Sequence, residues 1–301
     1  MIARGEAGYP EGLLQARNPP RRLFCLGNEG LLHDPSLSIV GARRSTPYGR
    51  GLARRFAKAA AQQGIVIVSG GAYGCDSEAH KAALDAGGAT IVVLGGGCDN
   101  LYPANNLPLF QRVVDSGGLL VSEQEWGAPP LPYMFRERNR IIAGLSRATL
   151  IVEAGLPSGT FSTADEALAA NREVFAVPGA ITSPASRGAN QLIAQGAHPV
   201  NDDEAFGMLL TGYYGVLQFT GAAATRSGSG RAGGACSPAM EDDELLAALS
   251  AEALSVDELV DVGIPVPKGQ SAISWLMLRL SELECAGLVE RCSDGRYGRT
   301  T

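Results

Sequence analysis

The chain of 301 residues lacks the marks of several functional classes. No apolar run approaches the roughly 20 residues of a membrane-spanning helix. The polar start MIARGEAGYPEG has no signal-peptide pattern. Cysteine is sparse: Cys25, Cys75, Cys98, Cys236, Cys285 and Cys292 form no CxxC and show no metal-like pairing with the three histidines. That predicts no metal and reduced thiols in a cytoplasmic protein. A GxGxxG turn is missing, and no acid stands after the next strand where a ribose would require one, so no dinucleotide cofactor is expected. The loops also lack the paired acids, Cys–His couple or metal ligands of hydrolysis or group transfer, and no catalytic residue is assigned. Aromatic residues make up only 6% of the chain, so a ring beside a basic cluster is informative.

The net charge of −6 argues against a nucleic-acid ligand until its distribution is read. From Met240 onward there are 12 acidic and 5 basic residues, a net of −7, whereas residues 1–239 carry 19 and 20, a net of +1. A basic patch on the larger part is compatible with an acidic whole.

From residue 38 on, short apolar runs alternate with helical patterns. The runs at 38–41, 65–69, 90–94, 119–122, 149–152 and 173–177 are nearly continuous, as expected of strands buried on both faces of a parallel sheet. Helical patterns lie at 48–63, 77–86, 107–116, 139–145, 160–170 and 189–195. The alternation predicts a doubly wound α/β sheet, mostly parallel, whose ligand lies outside the carboxyl ends of its strands. Residues 1–35 read as a lead-in, 36–221 as the α/β binding domain and 222–239, rich in Gly, Ser and Ala, as a flexible linker. Residues 240–301 carry three helical patterns and a hairpin, the order of a small winged helix, with Ser255 capping the second helix.

Five loops fall at the predicted carboxyl ends. In the first, Gly41 ends a strand, Arg43 and Arg44 follow at once, and six basic residues with no acid lie between Arg43 and Lys58. A glycine turn at a positive helix start receives phosphate. The second, Ser69 to Asp76, places Asp76 as a helix cap, with a catalytic Asp76–His80 pair as the alternative. The third sets Phe135 beside Arg136, Arg138, Asn139 and Arg140. Guanidinium groups take phosphates while a base stacks on a ring, the pairing that single-strand binding requires. The fourth opens a helix with Ser158, Gly159 and Thr160, and the fifth places Arg187 at another helix start. Such loops suit an extended anion better than one nucleotide.

Together these motifs resemble the DNA-processing protein A (DprA/Smf) family. The pattern runs through Gly41-Ala42-Arg43, Thr46-Pro47-Tyr48-Gly49, Val68 to Asp76, and Tyr102-Pro103 with Asn106. Arg138 to Ser146 (RNRIIAGLS), Glu153 to Thr160, Phe175 to Gly179 and Ser186 to Ile193 complete it. The resemblance implies an extended Rossmann-like domain and a winged helix. It further implies single-stranded DNA binding and protection, loading of RecA recombinase in natural transformation, a homodimer through the Rossmann-like domain, and no enzymatic role. Carried over, Arg43 binds phosphate, Phe135 contacts a base, Arg138, Asn139 and Arg140 line the same pocket, and Ser158, Gly159 and Thr160 form its far wall. Ala42 stands where many members have serine, and Pro132 where some have lysine. Many members also begin with a helical domain, of which only a remnant fits before Tyr9. The alternative is a nucleotide phosphoribohydrolase of the lysine-decarboxylase-like type. Its PGGxGTxxE turn would fall on Pro157 to Glu166, where the doubled glycine is missing.

Overall fold

A computed structural model describes residues 1–215 and, beyond them, 245–246, 249, 254–261, 275–276, 279–280, 283–284, 288–291 and 296–300. The chain divides into two compact units, Met1–Gly221 and Ala222–Thr301.

The first unit is built on one nine-stranded sheet. Its strands are β1 (Ile2–Ala3), β2 (Arg22–Gly27), β3 (Ser36–Val40), β4 (Val66–Ser69), β5 (Thr90–Val93), β6 (Leu119–Ser122), β7 (Ala148–Ile151), β8 (Glu173–Ala176) and β9 (His198–Pro199). The spatial order is β1-β2-β6-β5-β4-β3-β7-β8-β9. From β3 the chain winds outward through β4, β5 and β6, then returns to the other side of β3 for β7, β8 and β9. Strands β3 to β9 run parallel; β1 and β2 are antiparallel additions at one edge. The reversal of order between β3 and β7 opens a crevice at their carboxyl ends, where a sheet of this type binds ligands. Every residue of β3, β4, β5, β6 and β7 is buried, which explains the near-continuous apolar runs.

Residues 1–35 are woven into this sheet. Strand β2 pairs with β6, aligning Phe24 with Ser122 and Gly27 with Leu119, and Leu13 and Leu23 are fully buried.

The helices are α1 (Pro47–Gln62), α2 (Cys75–Asp85), α3 (Leu107–Asp115), α4 (Met134–Glu137), α5 (Asn139–Leu145), α6 (Thr160–Ala169), α7 (Arg187–Ala194) and α8 (Asp203–Tyr214). Thr46 caps α1 by accepting the Gly49 N–H at 3.1 Å, and Pro47 occupies the first turn, where its missing N–H costs nothing. One face of the sheet is covered by α1, α2 and α8, with Ala53, Phe56, Ala57, Ala79, Ala83 and Phe206 in the core. The opposite core takes Ile141 and Ile142 of α5, Ala164 and Ala167 of α6, and Leu13 and Leu23. Ser38 Oγ bonds the Ile142 carbonyl and the Ser146 hydroxyl, both at 2.8 Å, fixing α5 on β3.

In the second unit, Ser255 caps the helix Val256–Asp261. Its hydroxyl takes the Glu258 N–H at 3.3 Å, and Glu258 returns a bond to the Ser255 N–H at 2.8 Å. Strands β10 (Val289–Arg291) and β11 (Tyr297–Arg299) form an antiparallel pair. Leu249, Leu259, Trp275, Leu280 and Val289 share one apolar cluster. Helix then hairpin is the expected winged-helix order. The expected linker and much of the first and third helical patterns lie outside the described residues.

Candidate nucleic-acid interface

The loops after β3 and β7 are clamped together at the crevice. The Ala42 N–H donates to the Glu153 carbonyl at 2.8 Å. The Glu153 carboxylate accepts the Thr46 N–H, at 3.0 and 3.3 Å to its two oxygens, and the Thr46 hydroxyl. This holds the start of α1 against β7 and consumes the one acidic side chain of the β7 loop.

Above the clamp lies an open trough of about 520 Å³. It is lined by Gly41, Arg43 and Arg44 from the first loop, by Phe135, Arg138 and Asn139 from α4 and α5, and by Ser158, Gly159 and Thr160 at the start of α6. These nine residues, all singled out in the sequence, thus border one cavity. Arg43, Arg44 and the adjoining Arg136 are exposed, and among the described residues none of the three has an acidic partner. Ser158 Oγ donates to Thr160 Oγ1 at 2.9 Å and accepts the Thr160 N–H at 3.2 Å.

Arg138 plays a different part from its neighbours. It is 5% exposed, and its guanidinium donates to the Gly70 carbonyl at 2.7 Å, to the Val93 carbonyl, and to Asn139 Oδ1 at 3.1 Å. It ties the ends of β4 and β5 beneath the trough floor. A Cβ on Gly70 would collide with this guanidinium, so the close approach requires glycine. Burial lowers the Arg138 pKa to about 10, with the Arg43 charge adding to the effect and Asp76 opposing it. Asp76 is buried inside the first turn of α2 and accepts the Gly70 and Ala72 N–H groups at 3.2 and 3.4 Å. Burial raises its pKa, against the Arg138 charge. His80 is fully buried and its Nδ1 lies 2.7 Å from Thr90 Oγ1. Burial, with Arg138, lowers its pKa to about 3. Asp76 therefore braces the glycine loop, and His80 is a neutral core residue bonded to a strand.

Arg140 and Arg187 depart from the expected arrangement. Arg140 does not line the trough with Arg138 and Asn139. It borders a separate cavity of about 340 Å³ with Glu123 and Glu166. One residue is about 100° of helix, so Arg140 projects away from Asn139. Its guanidinium engages Glu123 twice, at 2.8 and 2.5 Å, and the Asn18 carbonyl at 2.8 Å. Arg187 is exposed at the start of α7 and is not among the residues lining the trough. Its loop reaches the trough through Ala185 instead.

Comparison with known proteins gives the chain's family. Residues 1–210 match the family model of DNA recombination-mediator protein A. The chain belongs to that family. It is 38% identical to the protein Smf of Escherichia coli strain K12, across 98% of this chain and 76% of that one. It is 39% identical to the DNA processing protein DprA of Streptococcus pneumoniae strain R6, across 65% of this chain and 69% of that one. Two solved structures share its fold at a TM-score of 0.64. One is DprA of Streptococcus pneumoniae, 37% identical over 69% of this chain and 72% of that one. The other is DprA of Helicobacter pylori, described for its single-stranded DNA binding mode, 33% identical over 68% of this chain and 94% of that one.

Within this family member, two residues beside the trough were not assigned from sequence, and Arg136 was read only as part of the basic cluster. Arg136 adds an exposed guanidinium next to Phe135. Tyr73 and Tyr102 border a small slot that shares Arg43, Phe135 and Arg138 with the trough. The signal for Arg136 was present in the basic cluster itself. The tyrosines stand apart in sequence and meet only in the fold.

Proposed function

We propose that this protein binds single-stranded DNA along the trough and mediates recombination by delivering the strand to RecA. The observation that carries the reading is the set of three exposed guanidinium groups without acidic partners, those of Arg43, Arg44 and Arg136, along a crevice that also presents the Phe135 ring. Arginine forks neutralise phosphates in a row, and the ring offers a surface on which any base stacks. The relatives' names agree: one solved relative is described for binding single-stranded DNA.

The reading is of a binding protein rather than an enzyme. The carboxylate of Glu153 is held by Thr46, Asp76 by backbone N–H groups, and His80 by Thr90. The phosphoribohydrolase alternative is disfavoured by the missing doubled glycine and by Glu166, the one glutamate of the comparable stretch Pro157 to Glu166. Glu166 borders the Arg140 cavity, not the trough. The proposal includes a homodimer through the first unit and a cytoplasmic location; no helix of the described residues is long and apolar enough to cross a membrane.

The test is anisotropy of labelled oligo-dT against a duplex of equal length over a salt series. Expected is binding that favours the single strand and falls steadily with salt. Undetectable binding at low salt refutes the reading. The RecA step is tested by the rate of RecA filament assembly on single-stranded DNA, which the protein should raise.

A further inference from the structure

We propose that the trough continues beyond Phe135 onto an aromatic shelf formed by Tyr102 and Tyr73, where an additional unpaired base stacks. This rests on the single-strand reading of the trough and extends it by a base subsite.

Four observations support it. The slot and the trough share Arg43, Ala72, Phe135 and Arg138 on their walls, so a strand passing Phe135 meets the slot directly. Tyr102 is 51% and Tyr73 42% exposed, and neither hydroxyl has a hydrogen-bond partner among the described residues. Single exposed aromatics need no explanation. Two of them lining one slot with a third ring, in a chain with only 6% aromatic residues, form a patch. No carboxylate lines the slot, so nothing there repels a phosphodiester.

The dimensions say how a base would lie. The slot holds about 40 Å³, little more than the ~30 Å³ share of one water in the liquid. It is a ledge, not an enclosing pocket. The Tyr102 and Phe135 ring centroids are 5.5 Å apart with planes at 58°. A base between two rings needs about twice the ~3.5 Å contact distance, so none fits between them. It stacks on the open side of Tyr102, with Tyr73 bordering the same ledge. Stacking of this kind accepts every base, because each has a π-face.

The experiment measures oligo-dT affinity over a salt series for the wild type, Tyr102→Ala, Tyr73→Ala and Tyr102→Phe. A strand of the same length without bases is the second probe. Loss of a stacked base costs on the order of ten-fold in affinity. Expected for each alanine variant is a loss of about that size on oligo-dT with an unchanged salt slope, because no phosphate contact is removed. Tyr102→Phe should bind like the wild type, and all four proteins should bind the baseless strand alike. If both folded alanine variants bind oligo-dT within about two-fold of the wild type, the shelf is refuted while the trough reading stands. If the alanine variants lose as much on the baseless strand, the tyrosines do not act by stacking and the proposal fails. Failure of the wild type to bind oligo-dT overturns both. Tyr73 comes from a different loop, so its variant serves as the test if Tyr102→Ala does not fold.

Discussion

The guanidinium carbon of Arg43 lies 5.8 Å from the centroid of the Phe135 ring. The two residues come from separate segments that line the trough, one from the loop after β3 and one from α4. A cation facing a ring at this distance attracts it by about 0.5–1 kcal/mol at an exposed site. In the proposed reading, this contact couples the charge for a phosphate to the ring for a base as one unit. Arg43→Ala should therefore lower the slope of log K against log salt by about 0.7 and weaken all single strands equally. Phe135→Ala should cost about 1–3 kcal/mol with little change in slope. The double variant should lose less than the sum of the two, as read by anisotropy titration; strict additivity would show that the pair acts independently.

Arg136 should behave as a second phosphate contact. Its side chain is exposed, lines the trough and has no acidic partner among the described residues. Arg136→Gln removes the charge and keeps a hydrogen-bonding side chain. Binding should weaken, with a salt-slope reduction of about 0.7 like that of Arg43→Ala. The melting temperature should stay within the range of a neutral surface change, about ±0.5 kcal/mol in stability. An unchanged slope would place Arg136 off the path of the strand.

The six parallel strands were legible because burial on both faces writes itself as an unbroken apolar run, as in Ile65-Val66-Ile67-Val68. Strands β1 and β9 were not, being two residues each. Helix α8 was missed because Gly207 and Gly212 dilute its helical signal, although Asp202 caps it by accepting the Ala205 N–H at 2.7 Å. In the site, loop chemistry at strand ends located the trough. The division of labour within Arg138-Asn139-Arg140 could not be read. Three polar residues in a row look alike on paper, and only the fold shows that the first is a buried strut and the third an ion-pair partner of Glu123. Tertiary distance also hid Glu123, which lies 17 positions from Arg140.

Arg140→Ala should therefore separate stability from binding. The Arg140–Glu123 pair is only 14% and 17% exposed on its two side chains, so removing the cation leaves a poorly solvated carboxylate. Denaturant unfolding should show a loss of about 1–3 kcal/mol. Affinity of the folded variant for oligo-dT should stay close to that of the wild type, because the side chain borders the other cavity. A binding loss as large as that of Arg43→Ala, without a stability loss, would mean that DNA displaces Glu123 and claims the guanidinium.

The buried imidazole predicts a pH signature. His80 has a pKa of about 3 in the fold, against 6.5 for the free side chain, because burial and the Arg138 charge disfavour its protonated form. Between those values the unfolded chain binds a proton that the folded chain refuses. Stability therefore rises with pH across this window and is lost as pH falls below about 6.5, by about 1.4 kcal/mol per unit. Asp76 acts in the opposite sense, because its raised pKa lets the folded state take up a proton first. His80→Gln isolates the imidazole: it keeps a donor for Thr90 Oγ1 and does not titrate. Urea unfolding at pH 7 and pH 5.5 should show a smaller acid loss in His80→Gln than in the wild type, by about 1.4 kcal/mol. Equal losses in the two proteins would mean that His80 takes up its proton without unfolding.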